Sequence, residues 1–406
     1  MPFDVSDFPD LPPGERGETR QNRRRIALWL FGLCAMIFVM VVLGGLTRLA
    51  GSGLSIMEWA PVTGILPPLD HAQWEHLFAL YKQTPQYQLV NDGFGLAGFQ
   101  RIFWLEWVHR LWGRLLGMAV LVPMGWFWVR GLLPRRLIPR LIGFFVLGGL
   151  QGAVGWFMVR SGFFADATAV APARLVVHLV LALVLYAAIL WTGLSALYSA
   201  PSAPPSTRGL RRVVAAFTAA LALTIAAGGF VAGTHAGFAY NSFPLMGGHL
   251  VPRAYAHLHP FWRNLTANIA AVQFDHRVLA SLTAVLGLLA AAMALSGGLP
   301  WRIRGPVLAT AGLVIVQYAL GVATLLLVVP VPLAAAHQAN AVLTLTASLV
   351  ALHALRPLPI GQRVRQGLRH GLRRGRPAAA LPALPPDVAA ADPAAADPAG
   401  NGRPGA

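Results

Sequence analysis

Eight apolar runs of bilayer-spanning length, at about 26–47, 101–129, 137–159, 172–197, 211–234, 267–296, 303–329 and 332–354, constrain this chain more than any other feature. About 20 residues of α-helix cross the hydrocarbon core, whereas a spanning strand needs only about 10. In that medium the backbone must satisfy its own N–H and C=O groups, which leaves helices or a closed barrel. Runs of this length are therefore helices. Composition agrees: 56% hydrophobic and 12% charged residues, with a mean hydropathy of +0.59, are too apolar for a soluble globule of 406 residues. The expected fold is an all-α integral membrane protein with eight transmembrane helices.

The net charge of +17 would suit a nucleic-acid binder if it were spread over a soluble surface. Instead the arginines lie in short clusters between the runs: Arg20, Arg23, Arg24 and Arg25; Arg130, Arg135 and Arg136; Arg208, Arg211 and Arg212; Arg302 and Arg304; and Arg356 onward. Cytoplasmic loops have this pattern under the positive-inside rule. With the first helix running inside to outside, every cluster falls on the cytoplasmic side. Both termini are then cytoplasmic, the loops at about 48–100 and 235–266 face the periplasm, and the location is a bacterial inner membrane. Membrane lipids are the surroundings, and nucleic acid is excluded as a partner. The single cysteine, Cys34, lies within the first run and reads as a packing residue.

Residues 1–25 read as a disordered cytoplasmic lead, and 356–406, Arg-rich and then Ala/Pro/Asp-rich, as a disordered cytoplasmic tail. A short amphipathic helix is expected near Asp70–Lys82 in the first outer loop. The segment 199–210, beginning Ser199-Ala200-Pro201-Ser202, is a linker. It separates an N-terminal half (26–198) from a C-terminal half (211–355), and the halves repeat. Gly44-Gly45-Leu46 answers Gly228-Gly229-Phe230, His109-Arg110-Leu111 answers His276-Arg277-Val278, and Gln151-Gly152-Ala153-Val154-Gly155 answers Gln317-Tyr318-Ala319-Leu320-Gly321. Four helices separate equivalent positions, so the duplication is parallel. The expected architecture is two pseudo-symmetric four-helix bundles.

Each His-Arg pair is followed by a second histidine near the start of a later run, His178 and His337. A histidine in hydrocarbon needs a partner for each ring nitrogen and marks a functional site by default. A four-helix unit with a histidine on each of two helices suits a bis-imidazole heme whose propionates turn to the wet end. The alternative is structural hydrogen bonding across helices. By the repeat, all four histidines lie at the outer ends of their helices, so both sites face the periplasm. His71, His76, His235, His249, His257 and His259 fall in outer loops, and His353 and His370 at or beyond the last cytoplasmic end.

Of the 15 acidic residues only Glu106 and Asp275 fall within the runs. Glu106 lies three residues before His109, on the same helix face, and its counterpart is Gln273. A titratable group beside one site and an amide beside the other suggest a reactive site in the first half and a resident cofactor in the second. The alternative for Glu106 is a pair with Arg110 or Arg114; Asp275 is expected to pair with an arginine. Arg48, Arg110, Arg174 and Arg277 are candidates for propionate binding, or for snorkelling to the interface. No nucleotide loop or HExxH motif is present.

These residues resemble the heme A synthases, membrane enzymes of cytochrome oxidase assembly, over about residues 24–355. The motifs are Gly44-Gly45-Leu46-Thr47-Arg48-Leu49, Ser52-Gly53-Leu54-Ser55-Ile56, Glu106-Trp107-Val108-His109-Arg110, Gly229-Phe230-Val231-Ala232-Gly233, Tyr240-Asn241-Ser242-Phe243-Pro244-Leu245-Met246, Phe274-Asp275-His276-Arg277 and His337-Gln338. The resemblance implies an oxidoreductase that hydroxylates the ring methyl of heme O twice, giving a gem-diol that loses water to the formyl group of heme A. It implies heme b as cofactor on His276 and His337, heme O as substrate at His109 and His178, and Glu106 as a catalytic carboxylate. Candidate partners are a heme O synthase, an electron carrier and further copies of the chain. The first outer loop lacks the cysteine pair of some branches. The rival reading is a bis-histidine di-heme electron-transfer cytochrome b, which would stack its hemes across the membrane.

Overall fold

The computed structural model describes residues 13–60, 63–164, 167–198 and 203–357. Residues 1–12 of the expected lead, 199–202 of the linker and 358–406 of the tail lie outside the described residues. The helices are α1 (Pro13–Leu49), α2 (His71–Lys82), α3 (Pro85–Leu89), α4 (Leu96–Val129), α5 (Ile138–Arg160), α6 (Pro172–Leu197), α7 (Arg208–Gly233), α8 (Asn264–Ala267), α9 (Ile269–Ser296), α10 (Trp301–Leu326) and α11 (Val331–Ala354). Among the described residues the extended pairing is limited to two isolated bridges. Eight helices, all but α2, α3 and α8, are long and apolar enough to cross a membrane, one for each expected run.

Helix α1 departs from expectation at its start. It begins at Pro13, inside the segment read as disordered, and runs for 37 residues, about 55 Å at 1.5 Å per residue. Proline is tolerated there because the first N–H groups of a helix have no intrahelical partner. The basic turn also docks: Arg23 Nε donates to Ala196 O at the end of α6 (3.1 Å).

Within the first half α1 packs on α4 and α6, and α5 on the same two; within the second, α7 packs on α9 and α11, and α10 on the same two. The halves meet where α1 and α6 touch α11 and α6 touches α7. The core follows these seams, with Leu30, Leu33 and Ile37 of α1 in one cluster with Ile189 of α6, Leu221 of α7 and Leu345 of α11. Facing away from it are Leu121 and Val122 of α4, Val146 and Phe157 of α5, and Val285 and Leu288 of α9, all exposed. Helices that are apolar inside and out belong in lipid. In that setting Pro123 of α4 would orphan the carbonyl of Ala119 four residues back, and Trp29 Nε1 of α1 donates to that oxygen (2.8 Å).

The outer loops are built rather than slack. In the first, Asp70 caps α2 by accepting from Gln73 N (2.8 Å), and Trp74, Phe78, Tyr81, Phe99 and Phe103 form an aromatic cluster against α4. In the second, Asn241 Nδ2 donates to Gly237 O and to Leu325 O of α10 (both 2.8 Å), while Asn268 caps α9. These loops roof the ends of the helices that carry the histidines.

Candidate functional site

Each of the four helix histidines rests on a glycine of the preceding spanning helix. A Cβ on Gly44 of α1 would stand 3.0 Å from His109 Cε1, on Gly155 of α5 2.9 Å from His178, on Gly228 of α7 3.0 Å from His276, and on Gly321 of α10 2.9 Å from His337. Real Cβ contacts are seldom or never that close, so the glycines are the clearance that lets an imidazole pack against a neighbouring backbone. The sequence signalled these glycines as repeat markers; their role as rests for the rings emerges only in three dimensions.

The ring edges away from the helix interiors differ between sites. In the second half His276 Nδ1 lies 3.1 Å from Thr224 O, a backbone acceptor. That bond assigns the proton to Nδ1 and leaves Nε2 as a ligand atom. Its counterpart His109 has a buried Nδ1 with no hydrogen-bond partner. His178 and His337 are held alike: Gln151 Nε2 donates to His178 O (2.9 Å) and lies 3.1 Å from its Nδ1, and Gln317 Nε2 does the same for His337 (3.0 and 3.1 Å). Asn340 Nδ2 in turn donates to Gln317 Oε1 (2.8 Å).

The second pair has the spacing of two axial ligands. The His276 and His337 ring centroids are 6.5 Å apart with planes at 81°. Two metal–imidazole bonds of about 2 Å, with roughly 1.2 Å from nitrogen to ring centre on each side, give about 6.4 Å. His178 lies within electrostatic range of His109. All four histidines are only partly covered. Among the described residues, no group of three or more His, Cys, Asp or Glu converges to chelate an ion. Pairs of imidazoles without further donors fit a metal whose remaining positions are filled by a macrocycle, which is the donor set of a bis-histidine heme. The second pair fits the group.

Both carboxylate oxygens of Glu106 are engaged. Oε2 accepts from Ser55 N (2.8 Å), Ser55 Oγ (2.7 Å) and Ile56 N (3.0 Å); Oε1 accepts from Arg110 Nε (3.1 Å) and Nη2 (2.7 Å). Five donors saturate a carboxylate that is 2% exposed, so it anchors the first outer loop. This is the Arg110 pairing weighed as the alternative; Arg114 Nη2 instead donates to Ala60 O (2.7 Å). Gln273 does the equivalent work with opposite polarity. Its Nε2 donates to Ala236 O (2.7 Å) and Ala239 O (2.6 Å), and its Oε1 accepts from Arg277 Nη2 (2.7 Å). Arg110 and Arg277 complete the clamps through Ile56 O and Glu58 O, and through Tyr240 O and Ser242 O. The Glu/Gln difference thus follows from whether the loop turns N–H or C=O groups inward. Asp275 also departs from expectation: its partner is Tyr255, whose hydroxyl donates to Oδ1 (2.9 Å).

Among the four candidate arginines, Arg110 and Arg277 are committed to the clamps. Arg174 donates to Phe157 O (2.8 Å) and stacks on the Phe157 ring at 3.8 Å. The guanidinium of Arg48 makes no hydrogen bond to a described residue; it lies close enough to His235 for its charge to add to the larger effect of partial desolvation in holding that imidazole below the ordinary value of 6.5. His235 adopts φ +57°, where its counterpart in the first half is Gly51 at +63°. Other histidines stay apart from the pairs: His71 meets Glu75 on the surface (3.5 Å), and His353 packs on Trp191.

Comparison with known proteins places this geometry. The family model described as cytochrome oxidase assembly protein matches residues 27–349. A heme A synthase of Granulibacter bethesdensis is 58% identical over 337 residues, covering 83% of this chain and 89% of that protein. A heme A synthase of Rhodospirillum centenum is 50% identical, covering 82% and 89%, and a heme A synthase 2 of Acidiphilium cryptum is 46% identical, covering 85% and 95%.

Proposed function

The chain belongs to the cytochrome oxidase assembly protein family, and from that membership we propose that it is a heme A synthase, an oxidoreductase converting the ring methyl of heme O to the formyl group of heme A. The observation that carries the reading to residues is the presence of two histidine pairs on glycine rests, one with the spacing of axial ligands. His276 and His337 hold the resident heme b; His109 and His178 receive heme O. Heme on the second pair supplies one-electron redox chemistry.

The division between halves rests on how each pair is held. Thr224 O fixes the His276 tautomer, as suits a ligand that never lets go. His109 Nδ1 has no such tether, as suits a ring that must admit and release a substrate. Glu106 acts by position: together with Arg110 it fixes residues 55–58 of the first outer loop over the reactive half. The guanidinium of Arg48, cationic and without a side-chain hydrogen bond to a described residue, is the group for a propionate carboxylate. We read the eight helices as two four-helix units, 26–198 and 211–355, in a bacterial inner membrane, with cytoplasmic termini and both sites toward the periplasm.

Purification followed by chromatographic separation of extracted pigments tests the reading. Heme B together with heme O or heme A is expected; heme B alone would replace the synthase with a di-heme electron-transfer cytochrome.

A further inference from the structure

We propose that Gln338 is a positioning residue that registers the two histidine pairs against each other across the seam between α11 and α1. It follows His337 in the chain, and its Nε2 donates to Val41 O of α1 (2.6 Å). Its amide fills the space that a Cβ on Gly45 would need, and Gly45 follows Gly44, the rest for His109. A short path therefore runs from His337 through Gln338 to Gly45, Gly44 and His109. It joins a ring of one half to a ring of the other.

The repeat supplies an internal control. At the equivalent seam between α6 and α7, Leu179 follows His178, and a Cβ on Gly229 would meet Val176 at 2.9 Å and Leu179 at 3.4 Å. Apolar side chains close that seam, so the fold does not require an amide at this place. An amide within a membrane is costlier than leucine unless it is hydrogen-bonded, and here the bond goes to a backbone carbonyl of the other half. Because ring and amide are consecutive residues of one helix, any shift of α11 that moves His337 also moves the contact on Gly45, the residue next to the rest for His109. Resting on the reading of the pairs as heme sites, Gln338 keeps the resident and substrate sites at one separation and couples their states.

The test uses the full chain purified in detergent. Q338L places at this seam the residue type found at 179. It is expected to keep wild-type heme B content and low-spin spectrum while heme A per heme B falls at least fivefold. The midpoint potential of the resident heme is expected to shift with occupancy of the first site in the wild type and to lose that shift in Q338L. G45A attacks the same contact from α1 and is expected to produce both changes together with a lowered melting temperature. Q338A/G45A, which frees the space, is expected to recover the melting temperature but not the product ratio, a non-additivity that marks direct contact. A wild-type ratio and wild-type redox response in Q338L would overturn the proposal. So would loss of heme B in Q338L, since Gln338 would then serve only the second site. Failure of the synthase reading shows separately, as absence of heme O and heme A from the wild-type protein.

Discussion

The carboxylate of Glu106 and the guanidinium of Arg110, one turn apart in α4, form a 2.7 Å ion pair whose side chains are 3% and 19% exposed. The pair is one half of a clamp on the first outer loop, and the other Glu106 oxygen faces two backbone N–H groups and a hydroxyl. E106Q keeps the shape but turns either a donor toward those N–H groups or a donor toward Arg110. Breaking one partner of a buried pair costs about 3–5 kcal/mol. A lowered melting temperature is expected, with heme B retained in the second half and heme A reduced. A variant that melts like the wild type and makes heme A at the wild-type rate would show that neither the charge nor the clamp matters.

Much of this was legible in the sequence, and the limits have physical causes. Spanning helices are fixed by length and hydropathy, so all eight runs found their helix, and the short helix expected near Asp70–Lys82 is α2. The start of α1 was missed because thirteen-odd polar residues ahead of an apolar run carry no periodic signal. Glu106 was placed by helical phase on the face of His109, but phase alone does not reveal what a loop fifty residues earlier brings to that face. Gln273 was read as an inert amide for the same reason, whereas the polarity of the loop backbone selects it.

Glycine clearance beneath the rings gives a graded expectation. G228A puts a methyl group 3.0 Å from His276 Cε1, and the ring that must give way is the one held at Nδ1 by Thr224 O. Resident heme is expected to bind on the order of tenfold more weakly, about 1.4 kcal/mol. G152A has open space at its Cβ and is expected to be neutral. Heme B per protein, from reduced-minus-oxidised spectra, compares the two directly.

The ligand assignments separate by half. H276A and H337A are expected to lose the low-spin b-type spectrum, since loss of an axial imidazole leaves the iron five-coordinate or free to leave. H109A and H178A are expected to keep that spectrum and lose heme A. If H109A abolished the spectrum while H276A preserved it, the roles of the halves would be exchanged.

The proposed orientation rests on the arginine clusters. A reporter fused at position 200 is expected to be active only as a cytoplasmic enzyme, and one in the segment 84–95 only as a periplasmic one. Activity of a periplasmic reporter at 200 would invert the molecule and turn both histidine pairs toward the cytoplasm.

His235 offers a pH-dependent test outside the membrane-spanning segments. Its left-handed backbone, φ +57°, is where the repeat has Gly51, and a side chain there costs on the order of 1 kcal/mol. Partial desolvation and then the charge of Arg48 hold its pKa below the ordinary 6.5. Between the lowered value and 6.5 the unfolded chain binds more protons than the folded one, so stability falls as the pH drops through that window and levels off below it. H235G is expected to raise the melting temperature at pH 7.5 by relieving the backbone, and to raise it further relative to wild type at lower pH, because the group that disfavours acid is gone. Melting curves of both proteins at pH 7.5, 6.5 and 5.5 measure this. A difference that stays constant or shrinks toward acid would mean that Arg48 does not act on His235, and would remove the contact that places Arg48 beside the second half.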